Sequence, residues 1–356
     1  MRHLDLHILQ SHPVNCLNRD DLGSPKTAIF GGVQRARVSS QCWKRAIREQ
    51  MAEEMPDRFA GMRTKLIKKP LWERLKAQGF SDEDAAKAAE AIASQLSKNS
   101  EEKAEKSAKA GSIEGKVKTL LFCSPNELDK VVEDYMDTRK AEKAVKTLAK
   151  KLPADAADIA LFGRMVAADK SLTLEGAAMF AHAFSTHRVS NEVDFYTAVD
   201  DLDNKDEPGA GMLGTLEFNA ATYYRFASVN LDLFASHMAV LTPEERADVI
   251  RAFIRATVMA VPHARQNSML ATTLPSYVFA VVRDSGHPIS LATAFEKPVE
   301  NKTGLMAESI QAIERKYDIV KRMYGLEALM EERVRTDVEC DKTLTDLINK
   351  VVSYVR

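Results

Sequence analysis

One segment of the chain, from about residue 56 to residue 153, differs in composition from the residues on either side of it. It is rich in Ala, Lys and Glu and has helical spacing, with Ser124 and Pro125 at a predicted helix start. Most of the flanking sequence instead has short segments in which apolar and polar residues alternate. We therefore expect a helical domain, residues 56–153, inserted into a second domain formed by residues 1–55 and 154–356.

Stripped of insertions, the flanking residues predict the order strand, helix, strand, strand, helix, strand. The first strand begins at His3 and places His3, Asp5 and His7 on one polar face, which we expect to be solvated or hydrogen-bonded. The first helix runs from about Ser40 to Met55. The remaining strands are predicted at residues 158–167, 178–189, 223–234 and 276–284, and the remaining helices at 242–261, 304–325 and 342–356. Helical spacing leaves a helix open as an alternative for residues 174–184.

This order is typical of the split βαβ pattern, so the predicted fold class is α+β with a ferredoxin-like, RRM-type domain. Residues 191–221 add a further feature. Their centre, residues 203–214, is acidic and glycine-rich, and apolar arms flank it. That pattern predicts a protruding β-hairpin.

Basic residues are concentrated near the N-terminus, although the whole chain has 50 basic and 51 acidic residues. Six cations and no acidic residue lie between Leu22 and Arg48, namely Lys26, Arg35, Arg37, Lys44, Arg45 and Arg48. We expect a long loop containing Gly31 and Gly32, followed by a helix capped by Ser39 or Ser40. Such a helix start binds phosphates, and cations spread over this length suit an extended polyanion. The alternative is a solvated basic loop paired with acidic groups elsewhere.

Several functional classes find no support in the sequence. Four scattered cysteines without CxxC spacing argue against disulfides and zinc, His3 and His7 have no third ligand, and no nucleotide-binding glycine motif is present. We therefore expect neither a metal nor a cofactor. No signal peptide and no run of eighteen apolar residues occurs, so we expect a cytoplasmic protein without a membrane partner.

Particular motifs resemble a known family. LNRDD, PKTAIFGG and R-x-R-V-S-S-Q-x-x-K-R-A-x-R in residues 17–48, and later FGRM and DFYTAVDDL, are similar to the backbone subunit of the type I-E CRISPR Cascade complex, the CasC family. The resemblance extends through the last third of the chain. It implies an RRM-like palm, helical fingers at residues 56–153 and a thumb hairpin at about residues 191–221.

The resemblance also implies partners and binding residues. It implies head-to-tail copies of the chain along a crRNA guide, contacts with other Cascade subunits, and target DNA reached through the guide. Met165 corresponds to a wedge between bases, and Phe195 with Tyr196 replaces an expected Trp-Phe pair that stacks on a displaced nucleotide. The full candidate set for RNA is Arg19, Lys26, Ser39, Ser40, Gln41, Lys44, Arg45, Arg48, Arg164, Met165, Phe195 and Tyr196.

Two other hypotheses stay open at this stage. Asp20 and Asp21 are adjacent carboxylates that a metal-dependent RNA endonuclease would use, although neighbouring side chains on an extended chain point apart. We instead expect them to hold Arg19 and the loop in place, and we expect no enzyme, since no Ser-His-Asp, Cys-His or HExxH arrangement occurs. The other hypothesis is a purely structural oligomer in which the basic loop pairs with the acidic thumb of a neighbouring copy.

Overall fold

The computed structural model describes residues 1–96, 113–149, 151–165, 172–198, 212–339 and 341–355. The strands are β1 (His3–Asn15), β2 (Thr27–Phe30), β3 (Val33–Val38), β4 (Met62–Thr64), β5 (Leu121–Cys123), β6 (Ala178–Phe180), β7 (Ala183–Ser185), β8 (Glu192–Ala198), β9 (Met212–Asn230), β10 (Tyr277–Arg283) and β11 (Met330–Arg335). The helices are α1 (Ser40–Glu54), α2 (Lys68–Ala77), α3 (Asp82–Leu96), α4 (Pro125–Thr138), α5 (Ala141–Val145), α6 (Ala157–Phe162), α7 (Leu231–His237), α8 (Pro243–Met259), α9 (Gln266–Met269), α10 (Leu305–Tyr324) and α11 (Leu344–Val352).

The main sheet has the strand order β11-β10-β1-β9-β7-β3-β2, and β6 and β8 also pair with β9. Its central four strands, β10-β1-β9-β7, are the fourth, first, third and second strands of a ferredoxin-like domain, with α1 and α8 as the two connecting helices. The predicted fold class, α+β with an RRM-type sheet, is therefore confirmed. None of the helices in the described ranges is long and apolar enough to cross a membrane.

The chain divides into two compact units. Unit 1 consists of Met1–Gln50, Phe180–Ser228 and Phe253–Tyr354, and unit 2 of Met51–Met179, Val229–Ala252 and Val355–Arg356. Unit 2 contains the helices of the compositionally distinct segment together with α6 and α7. The palm and fingers boundaries given above, 1–55 with 154–356 and 56–153, stay a prediction.

The core of unit 1 includes part of β1, the strand whose polar face was expected to be solvated or hydrogen-bonded. His7 is 2% exposed, and its ring stacks on Phe226 and Phe279 at centroid distances of 5.0 and 5.5 Å. Burial lowers the pKa of His7 to about 3, so the imidazole is neutral. Asp5 is also buried and binds Arg283 at 2.6 Å. The hydrogen-bonded alternative for this polar face is confirmed, because Nδ1 of His7 lies 2.9 Å from the hydroxyl oxygen of Tyr224. The solvated alternative is wrong, because both faces of this central strand are covered.

Unit 2 is built around the alanine-rich helix α3. Its small side chains let α2 and α5 approach closely, and its buried face consists of Ala85, Ala88, Ala89, Ile92, Ala93 and Leu96. Ser124 caps α4 with a complete capping box in which Glu127 is the partner. The predicted helix start at Ser124 and Pro125 is therefore confirmed.

Other predicted elements had mixed outcomes. The strand expected at residues 158–167 is wrong, because Ala157–Phe162 form helix α6, whose apolar side chains are buried nearly all round. The prediction of a long loop before α1 is also wrong, since this segment contains the β2–β3 hairpin. Residues 231–234, expected in a strand, begin α7 with Asn230 as the N-cap. The predicted first helix is confirmed as α1, and β6, β7, β10, α8, α10 and α11 also confirm predicted elements.

Candidate nucleic-acid interface

The two glycines of the basic stretch form the turn of the β2–β3 hairpin. Gly31 and Gly32 have φ angles of 60° and 76°, which suits a two-residue turn in which both positions are left-handed. A Cβ at Gly31 would lie 1.7 Å from the carbonyl oxygen of Glu296. At Gly31 the backbone therefore passes close to another segment of the same chain.

Arg35, one of the six cations, is wholly buried. Its guanidinium donates to the carbonyl oxygens of Phe30, Ser185 and Phe295 at 3.2, 3.0 and 2.8 Å. Burial lowers the pKa of Arg35, because desolvation disfavours the charged form. This arginine joins β3 to neighbouring segments and has no exposed donor surface for a polyanion.

The start of α1 carries the features of an anion-binding helix end. Ser39 caps the helix, accepting a hydrogen bond from the backbone N–H of Cys42 at 3.3 Å. The Ser39 N–H donates to Asn18 Oδ1 at 2.9 Å, which fixes the entry of the chain into the helix. The first turn contains no acidic side chain, Ser40 is half-buried and Gln41 is exposed. The positive end of the helix dipole is therefore not neutralised by its own first turn.

Three cations follow on α1. Lys44 and Arg48 lie one helical turn apart and are both partly exposed. The Nζ of Lys44 lies 5.6 Å from the centroid of the Phe180 ring, a contact that restrains its stem. Arg45 is the most accessible, with a side chain that is 76% exposed and an ion pair to Glu49 at 2.8 Å. The helix thus presents positive charge on two adjacent faces.

Arg37 and His182 add a pair that the sequence analysis did not assign. Arg37 donates to the carbonyl oxygen of Thr27 at 3.2 Å and lies 3.2 Å from Nδ1 of His182. Burial, and then the charge of Arg37, lowers the pKa of His182, so a neutral imidazole accepts from the guanidinium. Arg37 is one of the six cations counted in the sequence. His182 lies close to Arg37 because β3 pairs with β7, and that pairing was not visible in the sequence.

The loop before β2 is held by Asp20. Its Oδ1 accepts hydrogen bonds from the N–H groups of Leu22 and Ser24, both at 2.9 Å. Arg19 is exposed and forms a backbone bridge with Pro25, and Lys26 follows it, partly exposed. A groove of about 620 Å³ runs between this loop and α1, with Arg19 and Arg45 among its lining residues. Asp20 therefore shapes the loop, as expected, whereas the expected contact of Asp20 and Asp21 with Arg19 stays a prediction.

Metal-binding geometry does not accompany these carboxylates. Asp21 is exposed next to Asp20. Within the ranges that the structure describes, no group of three His, Cys, Asp or Glu side chains is placed to hold a metal ion.

Arg164 and Met165 lie in unit 2 and have opposite environments. Arg164 is 5% exposed, binds Glu127 at 2.7 Å and donates to the carbonyl oxygens of Leu148 and Leu172 at 2.7 and 3.1 Å. Met165, the next residue, is 84% exposed. The buried arginine anchors the segment that displays the exposed thioether.

The arms of the predicted thumb are present, and its tip, residues 199–211, lies outside the described residues. Antiparallel pairing runs from Glu192↔Phe218 to Ala198↔Met212. Phe195 and Tyr196 are 62% and 40% exposed. Neighbouring residues of a strand face opposite ways, so the two rings lie on different faces of the hairpin.

Known proteins give a consistent match. The model of a Cas family described as CT1975-like protein matches residues 4–351. The chain belongs to this family. A chain of a solved CRISPR RNA-guided surveillance complex, pre-nicking, is 31% identical with a TM-score of 0.81, covering 99% of this chain and 100% of that one. A chain of another CRISPR RNA-guided surveillance complex is 25% identical with a TM-score of 0.65, covering 99% and 98%. No curated protein matches significantly.

Membership of the CT1975-like family confirms the resemblance that the sequence motifs indicated. Within this family member, unit 1 brings together Arg19, Lys26, Ser39, Ser40, Gln41, Lys44, Arg45 and Arg48 along the β2 loop and α1. Phe195 and Tyr196 lie on the hairpin arms, and Arg164 and Met165 belong to unit 2. Their roles in RNA binding stay predictions.

Proposed function

We propose that this CT1975-like protein is the crRNA-binding backbone subunit of a cytoplasmic type I-E Cascade surveillance complex. The observation that carries the proposal is the start of α1, where a capped helix with no acidic first turn is followed by Lys44, Arg45 and Arg48. It occurs in a chain that matches a subunit of an RNA-guided complex over nearly its whole length. Such a surface suits the sugar–phosphate backbone of an extended RNA.

The proposed mechanism is to hold the guide by its backbone and leave its bases free for pairing. Guide sequences differ, so the protein must bind phosphates without reading base edges. The exposed thioether of Met165 can slip between any two bases, because it has no directional hydrogen-bonding groups. Phe195 and Tyr196 offer exposed rings on which a displaced nucleotide stacks. The subunit thereby pre-orders the guide for target DNA.

Arg164 receives a different role from the other candidates. All of its donor nitrogens already have partners within unit 2, including the buried carboxylate of Glu127. Replacing those partners by a phosphate would leave Glu127 buried and unpaired, which costs several kcal/mol. We propose that Arg164 positions Met165 rather than contacting RNA itself.

Assembly follows from the same proposal. Copies of the chain line up head to tail on one guide, with the thumb of each copy reaching over the RNA, and other Cascade subunits bind the ends and side of this filament. The thumb arms carry the exposed apolar side chains of Val193, Phe195 and Leu213 on one face. Grouped exposed apolar side chains of this kind mark a surface that binds a partner.

The two other hypotheses have less support. Asp20 has its Oδ1 engaged by two backbone N–H groups, which is the environment of a loop-forming residue. The proposed subunit is non-catalytic. A purely structural oligomer would not account for the match, over nearly the whole length, to a chain of an RNA-guided complex.

Removing the thumb arms tests the assembly. Glu192 and Phe218 are paired at the base of the hairpin, so an Asn-Gly turn can replace residues 193–217 without moving the flanking strands. The variant should fold and bind RNA, but it should lose the ladder of discrete complexes that the full chain forms on a long RNA in native gels. A persistent ladder would contradict the role of the thumb. Absence of any RNA complex with the full chain would contradict the proposed function itself.

A further inference from the structure

Trp43 anchors the first turn of α1 in the core of unit 1. Its side chain is 3% exposed, whereas Gln41 is exposed and Ser40 and Cys42 are half-buried. The backbone N–H of Trp43 donates to the carbonyl oxygen of Ser39 at 3.2 Å, which joins it to the residue that caps the helix. The orientation of the helix start therefore depends on what holds the Trp43 ring.

Arg225 on β9 holds that ring. Its guanidinium carbon lies 3.8 Å from the centroid of the Trp43 ring, which is a stacking distance. The same guanidinium donates to Gln10 Oε1 at 2.6 Å and to the carbonyl oxygens of Thr257 and Val258. These two carbonyl groups belong to the last turn of α8, where the helix dipole favours a cation. One side chain of unit 1 thus links α1 to β1, β9 and α8.

The surroundings of Arg225 restrict it to one orientation. The residue is 5% exposed, and the oxygens named above that accept from it belong to a side-chain amide and to backbone carbonyls. Gln10 is fixed in turn, because its Nε2 donates to the carbonyl oxygen of Thr273 at 2.6 Å. Burial lowers the pKa of Arg225 to about 9, which leaves the guanidinium charged at neutral pH. A desolvated cation attracts an aromatic face more strongly than an exposed cation does.

We propose that Arg225 and Trp43 are positioning residues of the RNA surface, an inference that rests on the proposed function. Both are buried, so they act through α1 and not by touching RNA. Arg225 sets the orientation of the Trp43 ring, and the ring sets the first turn of α1. That turn presents its N–H groups, followed by Lys44, to a phosphate. A turn that is ordered before binding loses less entropy when the RNA arrives.

The salt dependence of affinity separates positioning from stability. Affinities of the full chain for a single-stranded RNA are measured by fluorescence anisotropy at several salt concentrations, below the unfolding transition of every variant. We expect Trp43→Leu and Arg225→Lys each to lose about one phosphate contact. The slope of log affinity against log salt then falls by about 0.7, and binding weakens about fourfold at about 0.15 M salt. Lysine keeps the charge, but it cannot stack flat and satisfy the same acceptors at once.

A conservative variant and a double variant test whether the two residues act through one contact. The indole N–H of Trp43 has no hydrogen-bond partner among the described residues, so Trp43→Phe removes no hydrogen bond and keeps a ring face for Arg225. This variant should retain the full salt slope. Combining Trp43→Leu with Arg225→Lys should cost no more affinity than the larger single loss, because both changes break the same contact.

Phe279→Leu is the matched control. Its ring is also buried in unit 1 beside an arginine, since the guanidinium carbon of Arg333 lies 3.9 Å from the ring centroid. The ring packs edge-on against Tyr317 of α10 at a centroid distance of 4.8 Å, so it supports a different helix. This control should lower the melting temperature and leave the salt slope unchanged.

A full salt slope in Trp43→Leu or Arg225→Lys, additive losses in the double variant, or an equal loss in Phe279→Leu would overturn the positioning role. If Arg225→Lys does not fold, the two Trp43 variants decide, and equal slopes for them would overturn the role. RNA binding that still depends on Lys44 and Arg48 would then leave the proposed function standing. If the unmodified chain binds no RNA, both fail.

Discussion

Neutralising Lys44 and Arg48 together is the sharpest perturbation of the proposed RNA surface. The two side chains share one face of α1, so glutamine at both positions removes two adjacent positive charges without changing the helix pattern. Each phosphate contact on single-stranded RNA contributes about 0.7 to the slope of log affinity against log salt. The double variant should therefore lose about 1.4 from that slope per protomer, which at 0.15 M salt weakens binding about 10-fold.

The fold should be nearly unaffected. Both side chains are partly exposed, and the contact of Lys44 with the Phe180 ring contributes about 0.5–1 kcal/mol. The thermal midpoint should consequently fall by no more than about 3 °C. The assay is fluorescence anisotropy with two unrelated single-stranded RNAs at several salt concentrations. Both RNAs should lose affinity equally, because phosphates are common to all sequences.

A matched control neutralises Lys87 and Lys130, two exposed lysines on helices α3 and α4 of unit 2. This variant has the same change in net charge and should keep the full salt slope. An unchanged slope with a clearly lowered melting temperature in the Lys44/Arg48 variant would refute the reasoning and make those cations structural. A loss confined to one of the two RNA sequences would indicate base readout, which contradicts a guide-holding role.

Three further predictions concern the loop and the two cores. Asp20→Ala should lower the free energy of unfolding by about 0.5–1.5 kcal/mol, more than Asp21→Ala, because water replaces part of its two exposed hydrogen bonds. We expect no magnesium-dependent RNA cleavage by the unmodified chain; cleavage that is lost in either variant would favour the endonuclease. His7, with its pKa lowered to about 3, should cost the fold about 2 kcal/mol at pH 5 relative to pH 7, so urea unfolding of His7→Gln should depend less on pH; equal pH dependence would contradict its burial. Glu127→Gln should destabilise the protein by about 3–5 kcal/mol by leaving Arg164 unpaired; a loss below about 1 kcal/mol in chemical denaturation would refute that pairing.

The sign of the His7 prediction follows from the direction of its shift. The unfolded chain binds a proton near pH 6.5, whereas the buried ring binds one only near pH 3. The stabilisation is complete above the unfolded value and is lost as the pH falls between the two values.

Local signals predicted some elements well. Helix α8 has Thr242 and Glu245 as a reciprocal capping pair and a regular apolar stripe, so both its start and its length are readable. The ferredoxin-like fold class was predicted from the order of strands and helices along the chain. The signals for single elements such as α8 depend on neighbours within a few residues, which the sequence displays directly.

Other features depend on tertiary contacts and were not readable. Strand β3 places Arg35 at a fully buried position, which hides the alternation that would have identified it. Helix α6 is buried nearly all round, and a short apolar run fits a strand or a helix equally well. In the candidate site, the sequence located the cations, but it could not distinguish buried Arg35 from exposed Arg45, or foresee the pairing of Arg164 with Glu127.

The central claim is that copies of this chain polymerise along a guide RNA by holding its backbone. Native mass spectrometry of the full chain bound to single-stranded RNAs of increasing length measures this directly, because it counts protomers per RNA. The account predicts one additional protomer for each fixed increment of nucleotides, whatever the RNA sequence, and dissociation of the assembly after nuclease treatment. A number of protomers that stays constant as the RNA lengthens, or an assembly that keeps its size without RNA, would contradict it.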